Sequence, residues 1–470
     1  MKVIIKIGAF LLQGLYNLQK RKAQKKQITI ISRQANAPTL DISLLAEQLG
    51  KEYPEYQVVI LCKKIEGKVG YIKHMLFEQM PHLAVSKVVV LDSYCILVSL
   101  LRHRPNLTVV QMWHAMGAYK KFGKSILDQG EGASSKVAQA MQMHRHYDTI
   151  LASSPACLPS FSEAFGYEED AFTILPLPRT DLLRDKAYWK KTRAQILADY
   201  PELADCPKPT SCLELADCPK PAGCSAPTAT SAKGAEIPTE RPEDTVGSEG
   251  ISDFTASAIT QKKTILYAPT FRKGRDVQSQ ITAFIDQVDF AHYNLILSAH
   301  PLMLEGLTQL TMTEKTTNAP MTEQVHHPTM TEQATNAPMT EQEPQPSTAE
   351  QGGSPQVMTT DKYTSLELLS VSDYFVTDYS AMAFEAAVAG VPTFFYTFDI
   401  QEYEKTRGFY LDPYHDLPTP PYVAAQEVVA AIEEERYDGA ALKAFADKYV
   451  APGSDCTAQL ATLLIERSNN

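Results

Sequence analysis

Several signatures are missing from this chain of 470 residues. No Asp-x-Asp pair occurs, and there is neither a GxxxxGK loop closed by Ser or Thr nor a GxGxxG loop. Metal-bridged nucleotide chemistry and dinucleotide redox therefore lack their usual motifs, and any phosphate must be met by Arg, Lys and His. A cationic excess is missing too: 44 Lys and Arg stand against 55 Asp and Glu, for a net charge of −11. A broad basic surface for nucleic acid is thereby excluded. Four of the eight cysteines, Cys206, Cys212, Cys218 and Cys224, are spaced six apart inside one biased segment, and Cys62, Cys95, Cys157 and Cys456 are scattered. That pattern argues against a disulfide framework, and paired zinc ligands normally sit two to four residues apart. No apolar run approaches the roughly 20 residues of a transmembrane helix.

What is present alternates. Short β-branched runs at 28–32, 57–62, 86–92, 107–113 and 148–153 read as strands buried on both faces of a parallel sheet. Helical stretches lie between them, including Ile42–Leu49 after a possible Asp41 cap and Tyr94–Leu101. The same pattern returns at 263–269, 294–300, 373–379 and 391–397, followed by helices near 423–435, 440–449 and 456–466. The expectation is an α/β chain with two doubly wound Rossmann-like halves, 28–201 and 262–450, and a terminal helical segment at 451–470.

Two biased segments interrupt it. In 202–261 the octapeptide ELADCPKP occurs twice, followed by Ser/Thr/Pro/Gly-rich sequence. Within 311–360 four tandem nonapeptides begin at Met312, Met321, Met330 and Met339, and they also carry His326 and His327. Neither composition can build a core, so both read as disordered inserts.

Residues 1–27 have their own character. Val3–Leu18 is largely apolar, with Lys2, Lys6, Gln13, Asn17 and Lys20 on one helical face, and Lys20, Arg21, Lys22, Lys25 and Lys26 follow. An amphipathic helix with a basic flank predicts peripheral attachment to an anionic membrane surface.

Strand ends carry the candidate chemistry, because ligands of doubly wound sheets sit at the carboxyl ends of the strands. Trp113-His114-Ala115-Met116-Gly117 closes the fourth strand, and Lys120, Lys121 and Lys124 follow. His114 is the leading general base, against the alternative that its ring merely satisfies a buried carbonyl. His300, before Pro301, is expected to face the same cleft. Ser380 and Ala381 lead into a helix containing Glu385, an arrangement suited to a diphosphate or to a plain helix cap. Thr270 and Arg272, after Pro269, and Arg179 are further phosphate candidates, although single arginines are usually solvated or paired.

Taken together and in order, WHAMG with KKFG, LYAPTFR, the His-Pro pair, SLELLSVSDYFVTDYSAMAFEAAVAGVPTFFY and RGFYLD resemble the CDP-glycerol glycerophosphotransferase family of teichoic-acid synthesis. The likeness covers about 28–200 and 262–420 and implies a GT-B-type fold with the site between the halves. It implies CDP-glycerol or CDP-ribitol as donor, no metal or other cofactor, a hydroxyl of a lipid-linked polymer as acceptor, and CMP as product. It implies a place at the cytoplasmic face of the membrane. His114 would be the base, and His300 would hold or polarise the diphosphate. Donor contacts would fall on Trp113, Ala115, Met116, Gly117, Arg179, Pro269, Thr270, Ser298, Ala299, Ser380 and Ala381, with Glu385 and Arg407 as second-rank candidates. The chain departs from the family pattern at Ala381, where a second serine is common, and at Ala115-Met116. A nucleotide-sugar glycosyltransferase or epimerase of the same fold, and a non-catalytic membrane scaffold, are the competing readings.

Overall fold

In the computed structural model of the chain, residues 2–204, 262–272, 275–299, 301–304 and 357–469 are described. His300, the octapeptide segment from 205 with its four cysteines, and the nonapeptides lie outside the described residues.

Among the described residues twelve strands form two six-stranded sheets, and every strand pairing is parallel. The first contains β1 (Gln27–Ser32), β2 (Gln57–Cys62), β3 (Val88–Leu91), β4 (Thr108–Gln111), β5 (Thr149–Ala152) and β6 (Phe172–Ile174) in the order β2-β1-β3-β4-β5-β6. The second contains β7 (Lys263–Ala268), β8 (Tyr293–Leu297), β9 (Val357–Met358), β10 (Tyr374–Thr377), β11 (Thr393–Tyr396) and β12 (Pro421–Tyr422) in the order β12-β11-β10-β7-β8-β9. Strands β1, β3, β5, β10 and β11 are buried along their whole length. Helices must therefore cover both faces, which is why these runs are apolar without alternation. The fold is the α/β, doubly wound GT-B type that the motifs implied.

Strand order reverses between β1 and β3 in the first sheet and between β7 and β10 in the second. At such reversals the flanking crossovers diverge to opposite faces and leave a crevice beyond the carboxyl ends. One buried apolar cluster runs from the first sheet into the second, joining Ile30 and Val110 to Phe375, Phe384 and Leu464, while a separate cluster fills the far side of the second sheet. The last helix, Cys456–Asn469, returns to the first half: Leu460 and Leu464 are fully buried, and Ser468 Oγ lies 2.7 Å from the Tyr56 hydroxyl.

Two local expectations change, and three short strands are added. Asp41 does not cap its helix; it lies inside Leu40–Glu52, preceded by Thr39, and its carboxylate serves Arg179 instead. The helix expected over Tyr94–Leu101 is the shorter Ile96–Leu100. The edge strands β6, β9 and β12 carry two or three residues each, too few to show a period.

The amino-terminal helix forms over Lys2–Gln19. Its inner face is anchored by Tyr16, fully buried with its hydroxyl 3.0 Å from His103 Nδ1, and by Gln13, which accepts from the Arg102 amide at 2.7 Å. Ile7, Phe10, Leu11, Leu15 and Leu18 are exposed on the outside. No helix among the described residues is long and apolar enough to cross a membrane.

Candidate active site at the carboxyl ends of the sheets

His114 stands beside the first crevice. Its Nδ1 lies 2.8 Å from the carbonyl of Asp92, the residue after β3, and 3.0 Å from the side-chain amide of Gln34, just beyond β1. A carbonyl only accepts, so Nδ1 carries the proton and Nε2 keeps its lone pair. The Gln34 amide must then turn its oxygen, not its nitrogen, toward that N–H. The carbonyl contact is the one a structural histidine would make, yet it leaves the second nitrogen in the state a base requires. Although the ring is solvent-accessible, the protein around the cleft disfavours its charged form and lowers its pKa to about 4; nearby Arg179 and Arg33 act in the same sense.

The preceding residue holds the turn. Trp113 adopts φ 65°, left-handed for a residue with a side chain, at a cost of about 1–3 kcal/mol that its surroundings must offset. Its ring lies 4.1 Å from the His114 ring, stacks at 4.9 Å on Phe122 and meets Phe165 edge-on at 5.1 Å. Ala115 is partly exposed, but Met116 is fully buried in the core, so its side chain packs and does not line the cleft. Gly117 is explained by packing: a Cβ there would come within 2.6 Å of the Phe384 ring.

Arg179 is an interdomain clasp. Its guanidinium donates to Asp41, to Glu385 Oε1 at 2.6 and 3.1 Å, and to the main-chain carbonyl of His114 at 2.8 Å. All its directions are thus turned to the protein, and the carboxylates it joins are nearly buried. Burial pushes the Glu385 carboxyl up, opposed by Arg179, and its Oε2 has no hydrogen-bond partner among the described residues. Arg272 is likewise committed: it pairs with Asp378 at 2.9 Å and Asp399 at 3.1 Å and sits over the rings of Phe398, Tyr379 and Tyr403 at 4.8, 5.0 and 5.5 Å. With 4% exposure, it shapes the loop after β7 and is not placed to receive a solvent-borne phosphate.

Across the second crevice, Thr270 bonds Asp378 through both its amide, at 2.9 Å, and its hydroxyl, with buried Pro269 behind it. Ser298 Oγ lies 2.7 Å from Ser365 Oγ, next to partly exposed Ala299. Ser380 Oγ accepts from the Met382 amide at 3.2 Å, but the N-cap of the helix Met382–Val388 is Ala381, so Ser380 meets the first turn from one residue outside it and its hydroxyl proton is still available.

Arg407 lies in a latch between the halves. It donates to the Lys121 carbonyl at 3.0 Å and pairs with Glu131, while Lys121 N donates to the Gly408 carbonyl at 3.1 Å and Tyr410 N to that of Tyr119 at 2.9 Å. Gly408 takes φ 78°, the left-handed turn this pairing needs. Between them sits Lys120, bridged to Phe409 through the backbone, its ammonium without an ion pair among the described residues. Burial and Arg407 lower its pKa to about 8, against Asp378 and Glu131.

The structure therefore brings His114, Arg179 and Glu385 together, and separately groups Thr270 and Arg272 around Asp378. Gln34, Asp92 and Asp41 carry the geometry of His114 and Arg179 and were not singled out as site residues from sequence. For Gln34 and Asp92 the one legible signal was position, just beyond β1 and β3 at the strand-order reversal.

Comparison with known proteins agrees with this picture. A family model described as CDP-Glycerol:Poly(glycerophosphate) glycerophosphotransferase matches residues 15–202 and 338–457. The chain is 26% identical over 411 residues to the teichoic acid ribitol-phosphate primase of Bacillus spizizenii, covering 85% of this chain and 80% of that one. It is 21% identical over 455 residues to the teichoic acid glycerol-phosphate primase of Bacillus subtilis, covering 94% and 91%. Among solved structures the wall teichoic acid polymerase TagF shares the fold, with TM-score 0.61 at 16% identity over 99% of this chain and 95% of that one. A TagF variant has also been solved after soaking with CDPG, with TM-score 0.62 at 16% identity over 100% and 97%.

Proposed function

The chain belongs to the CDP-glycerol:poly(glycerophosphate) glycerophosphotransferase family and is an alditol-phosphate transferase; from that premise we propose that it extends a lipid-linked teichoic-acid-type polymer from CDP-glycerol or CDP-ribitol, with His114 as the base. A terminal hydroxyl of the acceptor gives its proton to His114 Nε2 while its oxygen bonds the phosphorus that bears the alditol. The bond from that phosphorus to the bridging oxygen breaks, and CMP leaves with the electron pair. The observation that carries this reading is the imidazole whose Nδ1 is held by the Asp92 carbonyl, with no partner at Nε2 among the described residues. Placement and charge stabilisation supply the rest of the catalysis, since phosphoryl transfer asks little covalent chemistry of the protein.

Ser298 and Ser380, on the opposite wall, are assigned to the donor's diphosphate together with His300, which lies outside the described residues, and Lys120 to the charge that develops on it. The dianion would also favour the protonated His114 ring, offsetting the protein surroundings that lower its basicity.

Peripheral membrane binding belongs to the same proposal. Exposed Phe10, Leu11, Leu15 and Leu18 and the exposed cations Arg21, Lys22, Lys25 and Lys26 form an apolar face with a basic flank. Deleting the helix would strip Tyr16 from the core, so Phe10→Glu with Leu11→Glu is the cleaner variant; unchanged partition onto phosphatidylglycerol vesicles would overturn the attachment.

The deciding assay is CMP release from CDP-glycerol, CDP-ribitol and a nucleotide sugar in the presence of acceptor. Turnover of a CDP-alditol alone supports the transferase. Turnover of the nucleotide sugar alone would replace it with a glycosyltransferase, and none with any donor would leave the scaffold.

A further inference from the structure

A cavity of about 660 Å³ opens in the first half, lined only by residues between Lys124 and Tyr167. That volume falls in the range of small-molecule sites. Its wall carries three cations, Lys124, Lys136 and Arg145, and no acid, in a chain whose net charge is −11. Among the described residues Arg145 bonds Gln142 and neither lysine is ion-paired. Asp128, outside the lining, lies within electrostatic reach of Lys136, and an anion joining the three cations would relieve the repulsion among them.

The cavity is built, not incidental. Lys124 runs across Gly166, where a Cβ would come within 2.5 Å of its Nζ. One wall, the loop 141–146, holds Gln142, His144 and His146 at φ 50°, 57° and 68°. His144 fixes that loop from inside: it is 2% exposed, its Nδ1 is 3.0 Å from the Tyr147 hydroxyl, and its ring meets Phe165 edge-on at 5.0 Å. His144 also lies 6.5 Å from the Trp113 ring, which in turn lies 4.1 Å from the His114 ring. One indole thus separates the cationic cavity from the proposed base, on the wall opposite the donor groups.

We propose that this cavity is the acceptor's anion subsite: Lys136, Arg145 and Lys124 hold phosphodiesters already built into the polymer, so that its terminal hydroxyl reaches His114. The inference rests on the transferase reading. Lysine and arginine together suit a flexible phosphodiester chain, lysine as a point charge and arginine as a planar fork. The base would then engage longer acceptors more firmly than a single alditol phosphate.

The test uses the full chain without donor. A synthetic glycerol-phosphate oligomer with four phosphodiesters, glycerol 3-phosphate and phosphatidylglycerol vesicles are titrated against wild type and Lys136→Gln/Arg145→Gln. The oligomer should bind wild type more tightly than glycerol 3-phosphate, and the double variant should lose about tenfold or more in oligomer affinity, with CDP-glycerol affinity unchanged. Unaltered oligomer affinity in the variant overturns the subsite. So does a loss confined to the vesicles, which would make the occupant a lipid headgroup, or an equal loss for CDP-glycerol, which would make it part of the donor site. Near-ultraviolet circular dichroism of the variant, unchanged from wild type, shows that the loss is not unfolding. Wild-type CMP release is measured separately, so failure of the transferase reading leaves the binding result intact.

Discussion

At position 114 one imidazole nitrogen is tied to a main-chain carbonyl, and the other is the one to which the proposed proton transfer is assigned. Because the cleft lowers the ring's pKa to about 4, the base form persists well below neutrality in the free enzyme. The acidic limb of kcat/KM should therefore lie near pH 4 and that of kcat higher, since bound diphosphate favours the imidazolium. A kcat/KM limb at the ordinary imidazole value near 6.5 would show the ring to be fully hydrated. His114→Ala should cost about 100- to 10,000-fold in kcat with the fold retained, read by CMP release and circular dichroism. Much at this scale was legible: an imidazole after a strand, glycine close by, cations following. Partners were not legible, because Arg179 meets Glu385 from 206 positions away and Met116 reads in sequence like any residue of the turn. A side chain's role as ligand contact or clasp is decided by what tertiary packing places against it.

The helices Leu40–Glu52, Arg179–Arg184 and Met382–Val388 meet through one guanidinium and two carboxylates. Removing the cation strands both acids in a nearly buried place, a change that typically costs about 3–5 kcal/mol. Arg179→Gln is expected to destabilise by that order in urea unfolding and to lower kcat as well, because the His114 carbonyl loses a donor. Adding Glu385→Gln should recover part of the loss; full additivity would mean that the two side chains do not interact. The loop 141–147 gives a second prediction. Burial lowers His144 to about 3 and His103 to about 4. Between about pH 6.5 and 4 the unfolded chain binds protons that the folded chain refuses, so stability falls as pH falls through that window. His144→Asn, which tolerates the left-handed backbone, should flatten the slope of Tm against pH there. Long, β-branched central strands announced themselves in the sequence, whereas β9 and β12, two residues each, exist only because a sheet edge was there to pair with.

For the molecule as a whole, composition and motif order predicted two doubly wound halves, but not how the chain's end returns. Residues near 456–466 read as one more helix after the second half; the structure lays that helix on the first, with Leu460 and Leu464 fully buried and Thr457 bonded to Asp181. Apolar periodicity says that a helix has a face to bury and is silent about which sheet receives it. Together with the apolar cluster shared between the sheets, this docking couples the two ends of the chain. The halves should therefore unfold in one cooperative transition. Leu460→Ala, more than 400 positions from β1, should lower the stability of the first half by about 2–5 kcal/mol. Hydrogen exchange at the amides of β1 and β3 measures that directly: their protection should fall together with that of β10. Loss of protection in the first sheet alone would show that the halves are independent, and no loss in either would show that the terminal helix only covers a surface that is stable without it.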